Sequence, residues 1–214
     1  LKEEFIEKEL FDPIAIYAYY PCISKENKLY IFSEDYAFHS LEEAKNVPPL
    51  EKAIKVMEFP RQKKKPHRCI ADFFANDRLD VVAFSFASAG LKLSPYEAEL
   101  YKDSKFTEYY QVHGLGVELA EALAEVIHKQ VRLDLDIVPK EGNTLHDVQM
   151  KQYVGCRYSP GYAACPDLEQ SRDMFDLLNP EEFGIELSET FQIHPEQSTC
   201  AIIVPHHKAN YYNI

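Results

Sequence analysis

A short segment near the C-terminus combines the residue types of a ligand-binding loop. Residues 157–167 place two prolines, a glycine and two alanines between Arg157 and Asp167, the expected cap of a helix. Small residues let a ligand approach the backbone, prolines fix the shape of the loop, and a helix start presents free N–H groups. Arg157 could bind a carboxylate through two parallel hydrogen bonds, and the Tyr162 ring could lie against a flat group. The alternative is an ordinary turn into a capped helix, with Arg157 at the surface.

The cysteines and histidines favour chemistry without a metal or a disulfide. Five cysteines are widely spread and form no Cys-x-x-Cys pair, so reduced and mostly buried thiols are expected. Among eight histidines, the neighbouring pair His206 and His207 should point to opposite faces of an extended chain. We therefore predict no metal site, and an organic cofactor or a cosubstrate would have to supply any chemistry.

Composition excludes several classes of protein. With 214 residues, of which 46% are apolar, the chain can bury a substantial core. The 35 acidic residues exceed the 23 basic ones, and the net charge of -12 provides no global positive field for nucleic acid. No apolar run is long enough to cross a membrane, and residues 1–5 alternate charged and apolar side chains, unlike a signal peptide. We expect a soluble, cytoplasmic protein that binds neither nucleic acid nor membranes.

Several strands are predicted to position the loop. The aromatic and β-branched run 14–20, the polar stretch 24–28 and the apolar run from Leu29 predict a β-hairpin. A short helix and a further strand are expected within 34–59. The nearly continuous apolar run 80–88 predicts a strand at the centre of a sheet. Later, residues 185–193 alternate like one half-buried strand, and 199–204 return as another.

Helices are predicted from caps and periodicity. A short amphipathic helix is expected over 1–10, and Ser94 with Glu97 predicts a capping box and a helix to about 103. The longest helix, 107–132, has an apolar stripe that includes Val117, Ala120, Ala124, Val126, Ile127 and Val131. Residues 167–178 predict another helix, capped by Asp167 with Leu168 inward. The connection 133–153 contains at most one helical turn, from Thr144.

Hairpins outnumber βαβ units in this pattern. We therefore predict the α+β class, with a twisted and largely antiparallel sheet flanked by helices.

The loop segment also matches a family hallmark, R-x-x-x-G-Y-x-A-C-P-[DE]. Here the chain resembles the C-terminal activation domain of cobalamin-dependent methionine synthase. The similarity continues in CIADFFA at 69–75, LAEALAE at 119–125, ETF at 189–191 and the tyrosine pair 211–212. It covers the chain from about residue 13, so the resemblance implies a single activation-type domain over 1–214. A W-x-x-F-F-like segment that begins the family domain is expected to be absent.

The resemblance implies binding of S-adenosylmethionine and reductive methylation of cobalamin. In this family, inactive cob(II)alamin returns to methylcobalamin by taking an electron from flavodoxin, or an equivalent reductant, and a methyl group from S-adenosylmethionine. The sulfonium is already activated, so the resemblance implies that the protein needs no catalytic acid, base or metal and has only to hold the methyl group in line with cobalt. The sequence lacks the D-x-H-x-x-G cobalamin signature. The chain is therefore expected either to act in trans or to be a fragment of a longer protein. We favour a free-standing protein that acts in trans on the cobalamin-binding domain of a separate methionine synthase, as part of that methyltransferase's activity.

The resemblance also assigns a set of S-adenosylmethionine-binding residues. These are Arg157, Ser159, Gly161, Tyr162, Ala164, Glu121, Tyr211 and Tyr212. The arginine would hold the methionine carboxylate, the backbone of 159–164 would contact the cosubstrate, and Tyr162 would meet the corrin. Glu121 would bind the cationic side of the ligand, and Tyr211 and Tyr212 would close the far side.

Purely structural interpretations remain open for several of these residues and for the basic run. Glu118, Glu121 and Glu125 could form one solvated acidic edge of the long helix. The two terminal tyrosines could simply pack on the sheet. The basic run 61–68 could be a patch for a phosphate or a partner, or a solvated loop.

Two other functions also remain open. The chain could be a non-catalytic adaptor that caps a corrinoid protein, or the reactivation partner of another corrinoid methyltransferase.

Overall fold

The computed structural model describes residues 8–137, 146, 150 and 152–214. Within them lie the strands β1 (Ile14–Lys25), β2 (Lys28–Ile31), β3 (Lys55–Glu58), β4 (Asp80–Ser88), β5 (Cys156–Tyr158), β6 (Glu186–Leu187), β7 (Ile193–His194) and β8 (Ser198–Val204). Six of them form one antiparallel sheet in the order β3-β2-β1-β4-β8-β5, and β6 pairs with β7. This arrangement confirms the α+β class and the antiparallel sheet.

Three α-helices accompany the sheet in the described residues. They are α1 (Leu93–Lys102), α2 (Phe106–Asp134) and α3 (Gln170–Leu178). Short 3-10 helices occupy Glu34–Tyr36, Glu43–Lys45, Leu50–Lys52, Ile70–Phe73 and Pro180–Phe183. No helix in this part of the chain is long and apolar enough to span a membrane. The helix expected over 1–10 falls mostly outside the described residues, and so does the turn expected from Thr144.

Alternation along β4 gives the sheet two unlike faces. Phe84 and Phe86 are fully buried against α3 in the main core, whereas Ala83 and Ala87 face α2. The predicted central position is confirmed, because β4 pairs with both β1 and β8. The small side chains on one face let α2 pack close to the sheet. The bulky side chains on the other face fill the space beneath α3.

The predicted hairpin is confirmed, but its strands pair differently from the expectation. The first strand continues through the polar residues Ser24 and Lys25, and its last four residues pair with β2. The aromatic run itself pairs with β4. The reversal is therefore confined to two residues, Glu26 and Asn27. The polar residues 24–28 predict a longer turn than is observed, because polar side chains occur both in turns and at the exposed ends of strands.

The predicted capping box at Ser94 is wrong. The helix begins at Leu93, its N-cap is Lys92, two residues before Ser94, and no side chain caps its start. Glu97 is buried, and its carboxylate accepts hydrogen bonds from Gln197 Nε2 at 2.7 and 2.8 Å instead of reaching back to the helix start. A tertiary partner has replaced the local one.

The other helix predictions are largely confirmed. The long helix extends slightly beyond 107–132, but Val117 and Val126 are exposed. The last helix begins at Gln170, three residues after the expected cap, and Leu168 is exposed. The Asp167 carboxylate still accepts a hydrogen bond from an N–H group of this turn, that of Glu169 at 2.9 Å.

Residues 185–193 do not form one strand. They form two short strands, β6 and the start of β7, joined by a turn in which the Ser188 hydroxyl accepts a hydrogen bond from the Gln192 N–H at 3.0 Å. Phe191 adopts a positive φ of 61° there. The alternation of apolar and polar residues therefore continues through both strands of a hairpin and does not mark a single strand.

Candidate functional site

A cavity of about 320 Å³ lies between α2, β5 and the segment 205–214. Small residues of the sheet and the helix leave this space unfilled: Ser85, Ala124, Thr199 and Ala201. A second cavity of about 900 Å³ adjoins it, because both are lined by Glu121, Ser159, Tyr162 and Thr199. Volumes of this order accommodate small organic ligands.

Arg157 lies in the wall of the smaller cavity. Its Cα pairs with that of Ile203, a residue on the α2 face of the sheet, so its side chain projects toward α2. The side chain is 16% exposed, and Nη2 lies 3.0 Å from Glu125 Oε1 and 3.7 Å from Glu121 Oε2. The interpretation of Arg157 as a surface residue is therefore wrong.

One guanidinium nitrogen of Arg157 has no hydrogen-bond partner in the part of the chain that the structure describes. Nη1 is enclosed and makes no hydrogen bond to any described residue. An unpartnered buried donor destabilises a protein by about 1–3 kcal/mol. A bound ligand that accepted a hydrogen bond from Nη1 would remove this cost.

The two glutamates near Arg157 differ in exposure. The Glu121 side chain is 56% exposed and that of Glu125 is 28% exposed, although both lie on one face of α2. The interpretation as a solvated acidic edge therefore fits the exposed Glu118 and Glu121 side chains, although Glu121 also lies near Arg157. It does not fit Glu125. Sequence reasoning missed Glu125 as the closer partner of Arg157, and its spacing of four residues from Glu121 was the available signal.

Tyr153 holds Glu125 from the other side. Its hydroxyl donates to the Glu125 carboxylate, with both oxygens at 3.2 Å. The ring meets His128 edge-on at 5.1 Å and lies 4.2 Å from the Arg132 guanidinium. Burial, followed by the charge of Glu125, raises the pKa of Tyr153 to about 12, so the hydroxyl remains a donor. No periodicity in the connection 133–153 indicated this residue.

Gly155 brings the backbone before β5 close to the end of β8. Its φ is +93°, and a Cβ there would lie 2.8 Å from the Val204 carbonyl oxygen. Glycine is therefore required by conformation and by space. The close approach places Tyr153 and Arg157 on the same side of α2.

The predicted binding loop is tightly folded. Gly161 has a φ of +86°, and its N–H donates to the Cys165 carbonyl at 2.8 Å. The Cys165 thiol donates to Gln170 Oε1 at 3.0 Å, and Gln170 Nε2 donates to the Glu58 carbonyl at 2.7 Å. This chain of contacts fixes the loop to α3 and β3. Tyr162, at the tip, is 59% exposed and borders both cavities.

The terminal tyrosines have separate environments. The Tyr158 hydroxyl donates to the Asn210 carbonyl at 2.8 Å, and Tyr211 stacks on the Tyr158 ring with centroids 6.4 Å apart. Tyr211 lines the smaller cavity. Tyr212 is buried in the main core, so the interpretation as a residue packed on the sheet describes it well.

The structure brings together five of the eight predicted site residues. They line the smaller cavity: Glu121, Arg157, Ser159, Tyr162 and Tyr211. Gly161, Ala164 and Tyr212 are not part of its lining, and the Ala164 side chain is fully buried in the core.

A third cavity carries a cluster of basic residues. It is lined by Arg68, His206, His207 and Lys208, and it shares Asn210 with the smaller cavity. The two histidine rings lie side by side, with centroids 4.4 Å apart, and not on opposite faces. Burial, with repulsion from His207 and Lys208, lowers the pKa of His206.

Potential metal ligands do not gather in the described part of the chain. All five cysteines are free and buried, as predicted. No group of three or more metal-ligating side chains lies together among the described residues.

The fold and the cavity define an α+β domain with a charged, ligand-sized space against its sheet. A family model described as the activation domain of vitamin B12 dependent methionine synthase matches residues 1–214. The chain belongs to this family, which confirms the resemblance drawn from the loop motif.

Similar proteins support this assignment. The methionine synthases of Mycobacterium tuberculosis (strain ATCC 25618 / H37Rv) and Mycobacterium leprae (strain TN) are each 34% identical to it, over 219 and 212 residues. Each alignment covers 93% of this chain, which spans only 17% of either relative. A crystal structure of the MetH reactivation domain bound to AdoHcy shares the fold, with a TM-score of 0.84 and 23% identity. That match covers 99% of this chain and 64% of the other.

Proposed function

We propose that this domain binds S-adenosylmethionine in the smaller cavity and supports the reductive methylation of cob(II)alamin. The observation that carries the proposal is the enclosed Arg157 guanidinium beside Glu121 at the wall of a ligand-sized cavity. The solved relative, whose ligand is AdoHcy, supports the choice of ligand. Family membership supports the choice of reaction.

The proposed roles follow from charge. S-Adenosylmethionine carries a carboxylate, an ammonium and a sulfonium. Arg157 would bind the carboxylate, and the exposed Glu121 carboxylate would face the cationic groups. Tyr162 and Tyr211 would flank the ligand, and backbone groups of 159–164 would complete the site. Gly161 and Ala164 would then act through the backbone of the loop, and Tyr212 through its packing against Tyr158. The site needs no catalytic side chain, because it only positions an activated methyl group.

We further propose that this chain acts in trans on the cobalamin-binding domain of a separate methionine synthase, which supplies the corrinoid, with flavodoxin or an equivalent reductant as electron donor. Free cysteine thiols suit the reducing cytoplasm, where we place the reaction. The curated relatives contain the matching region as part of a longer methionine synthase.

A reconstitution assay tests the reaction. Inactive cob(II)alamin enzyme lacking its own activation domain is mixed with reductant and S-adenosylmethionine, with and without this protein. We expect methylcobalamin to form only when the protein is present. Its failure to form would contradict action in trans.

Calorimetric titration tests binding separately. We expect heat of binding with both S-adenosylmethionine and S-adenosylhomocysteine. No heat with either ligand, even with the cobalamin-bearing partner present, would leave the non-catalytic adaptor as the function.

A further inference from the structure

Glu125 and Tyr153 line the cavity but have no role in the proposed function so far. Their geometry differs from that of the exposed Glu121. The Arg157–Glu125 contact is the shorter one, 3.0 Å against 3.7 Å, and Glu125 is the less exposed carboxylate. Glu125 is therefore placed to hold the guanidinium, whereas Glu121 is placed to meet a ligand.

The Glu125 carboxylate is itself held in place. Tyr153 OH lies at 3.2 Å from both oxygens. The tyrosine ring is fixed in turn by the edge-on contact with His128 and by the Arg132 guanidinium at 4.2 Å. Because Arg132 and His128 are buried on α2, the whole array is tied to the long helix.

Such an array restricts the orientation of Arg157. An arginine side chain has several rotatable bonds, and ordering it on ligand binding reduces affinity. A guanidinium already fixed through Nη2 loses less entropy when it binds a carboxylate. A site works best when the side chains that contact the ligand are locked by a surrounding layer of hydrogen bonds.

We propose that Glu125 and Tyr153 are positioning residues that orient the Arg157 guanidinium for the carboxylate of the cosubstrate. This inference rests on the proposed function. It assigns neither residue a direct contact with the ligand.

The test is a double-mutant cycle between Tyr153 and Arg157, read as the affinity for S-adenosylmethionine by calorimetric titration. Tyr153→Phe keeps the ring that packs against His128 and Arg132 and removes only the hydroxyl. We expect it to weaken binding by about three- to tenfold in the natural background. In the Arg157→Ala background the same change should have no effect, because there is no guanidinium left to orient.

A matched control removes a hydroxyl elsewhere on the domain. Tyr110 is 70% exposed on α2 and lines neither of the two adjoining cavities, so Tyr110→Phe should leave the affinity unchanged. Melting temperatures of all variants establish that each is folded.

The outcomes separate the two proposals. An unchanged affinity in Tyr153→Phe would overturn the positioning role while leaving the proposed function in place. An equal loss with and without Arg157 would also overturn it, since a merely structural role acts in both backgrounds. If the natural protein bound no S-adenosylmethionine, the proposed function would fail, and the positioning role with it.

Discussion

Among single residues, Arg157 is a largely buried cation that lines the smaller cavity. We predict that Arg157→Ala weakens S-adenosylmethionine binding by about ten- to hundredfold, the equivalent of losing one charge-assisted bidentate contact. Calorimetric titration measures the effect. Arg172→Ala is the control, because Arg172 forms a solvent-exposed pair with Glu181 at 2.9 Å on another helix. Equal affinities in the two variants would refute the assigned role of Arg157.

Glu97 gives a prediction about pH. Burial raises the pKa of Glu97, so the folded protein holds this proton more readily than the unfolded chain does. Its contribution to stability is complete below the ordinary glutamate pKa, about 4.3, and is lost as the pH rises through the raised pKa. We expect Glu97→Gln to be more favourable to stability at neutral pH than at about pH 4, because the variant has no carboxyl group whose ionisation destabilises the folded state.

Urea unfolding at the two pH values measures this difference. Glu99→Gln, on the exposed side of the same helix, is the control and should show no such dependence. A Glu97→Gln effect that is identical at both pH values would contradict the assignment.

Residue identity in the site was predictable where chemistry is encoded locally. Arg157 and Tyr162 lie within one short motif, and both line the cavity. Glu125 and Tyr153 were not predictable, because their contact depends on how residues 152–155 lie against α2. Tyr212 shows the opposite limit. Tyr212 lies in the core, whereas its sequence neighbour Tyr211 lies at the cavity. No spacing rule indicates this separation.

At the scale of elements, two glycines should respond oppositely to the same substitution. Gly114 lies in α2, where an added Cβ meets nothing within 4 Å, so Gly114→Ala should stabilise the protein by about 0.5–1 kcal/mol. Gly155→Ala introduces a strained positive φ and a 2.8 Å contact with a carbonyl oxygen. It should destabilise the protein by about 1–3 kcal/mol.

Denaturant unfolding of both variants checks this prediction. Gly155→Ala should also weaken cosubstrate binding, because its backbone carries Tyr153 and Arg157 toward α2. A Gly155→Ala variant as stable as the natural protein would show that the connection does not need glycine there.

Elements with strong periodicity were predicted well, and elements defined by tertiary partners were not. The long helix and β4 follow from their apolar patterns, which continue over many residues. The capping box failed because Glu97 bonds to Gln197, 100 residues away in sequence. The expected strand over 185–193 failed because alternation persists through a turn whose geometry depends on a positive φ at Phe191.

For the molecule as a whole, an uneven charge distribution predicts how it meets a partner. The protein has a net charge of -12, yet Lys63, Lys64 and Lys65 are exposed and have no ion-pair partner among the described residues. Arg61 is instead held to Asp72 at 2.6 Å. We expect association with the cobalamin-bearing partner to slow as ionic strength rises, and to slow further when the three lysines are replaced by alanine.

Stopped-flow measurements over a range of salt concentrations provide the test. Replacing Lys45, Lys105 and Arg172, which are paired with Glu42, Asp103 and Glu181, by alanine gives a control of equal charge change. An association rate that is insensitive to salt would exclude the basic loop from docking.

The residues of β4 and β8 that face α2 set the size of the cavity, whereas other residues provide its charged and aromatic groups. The loop supplies the groups that would recognise a ligand, but the depth of the cavity is set by Ser85, Thr199 and Ala201 in the strands beneath it. A larger side chain at position 85 or 201 would raise the floor without touching Arg157 or Tyr162. Ligand size and ligand recognition can therefore be changed independently, by altering different elements of the same fold.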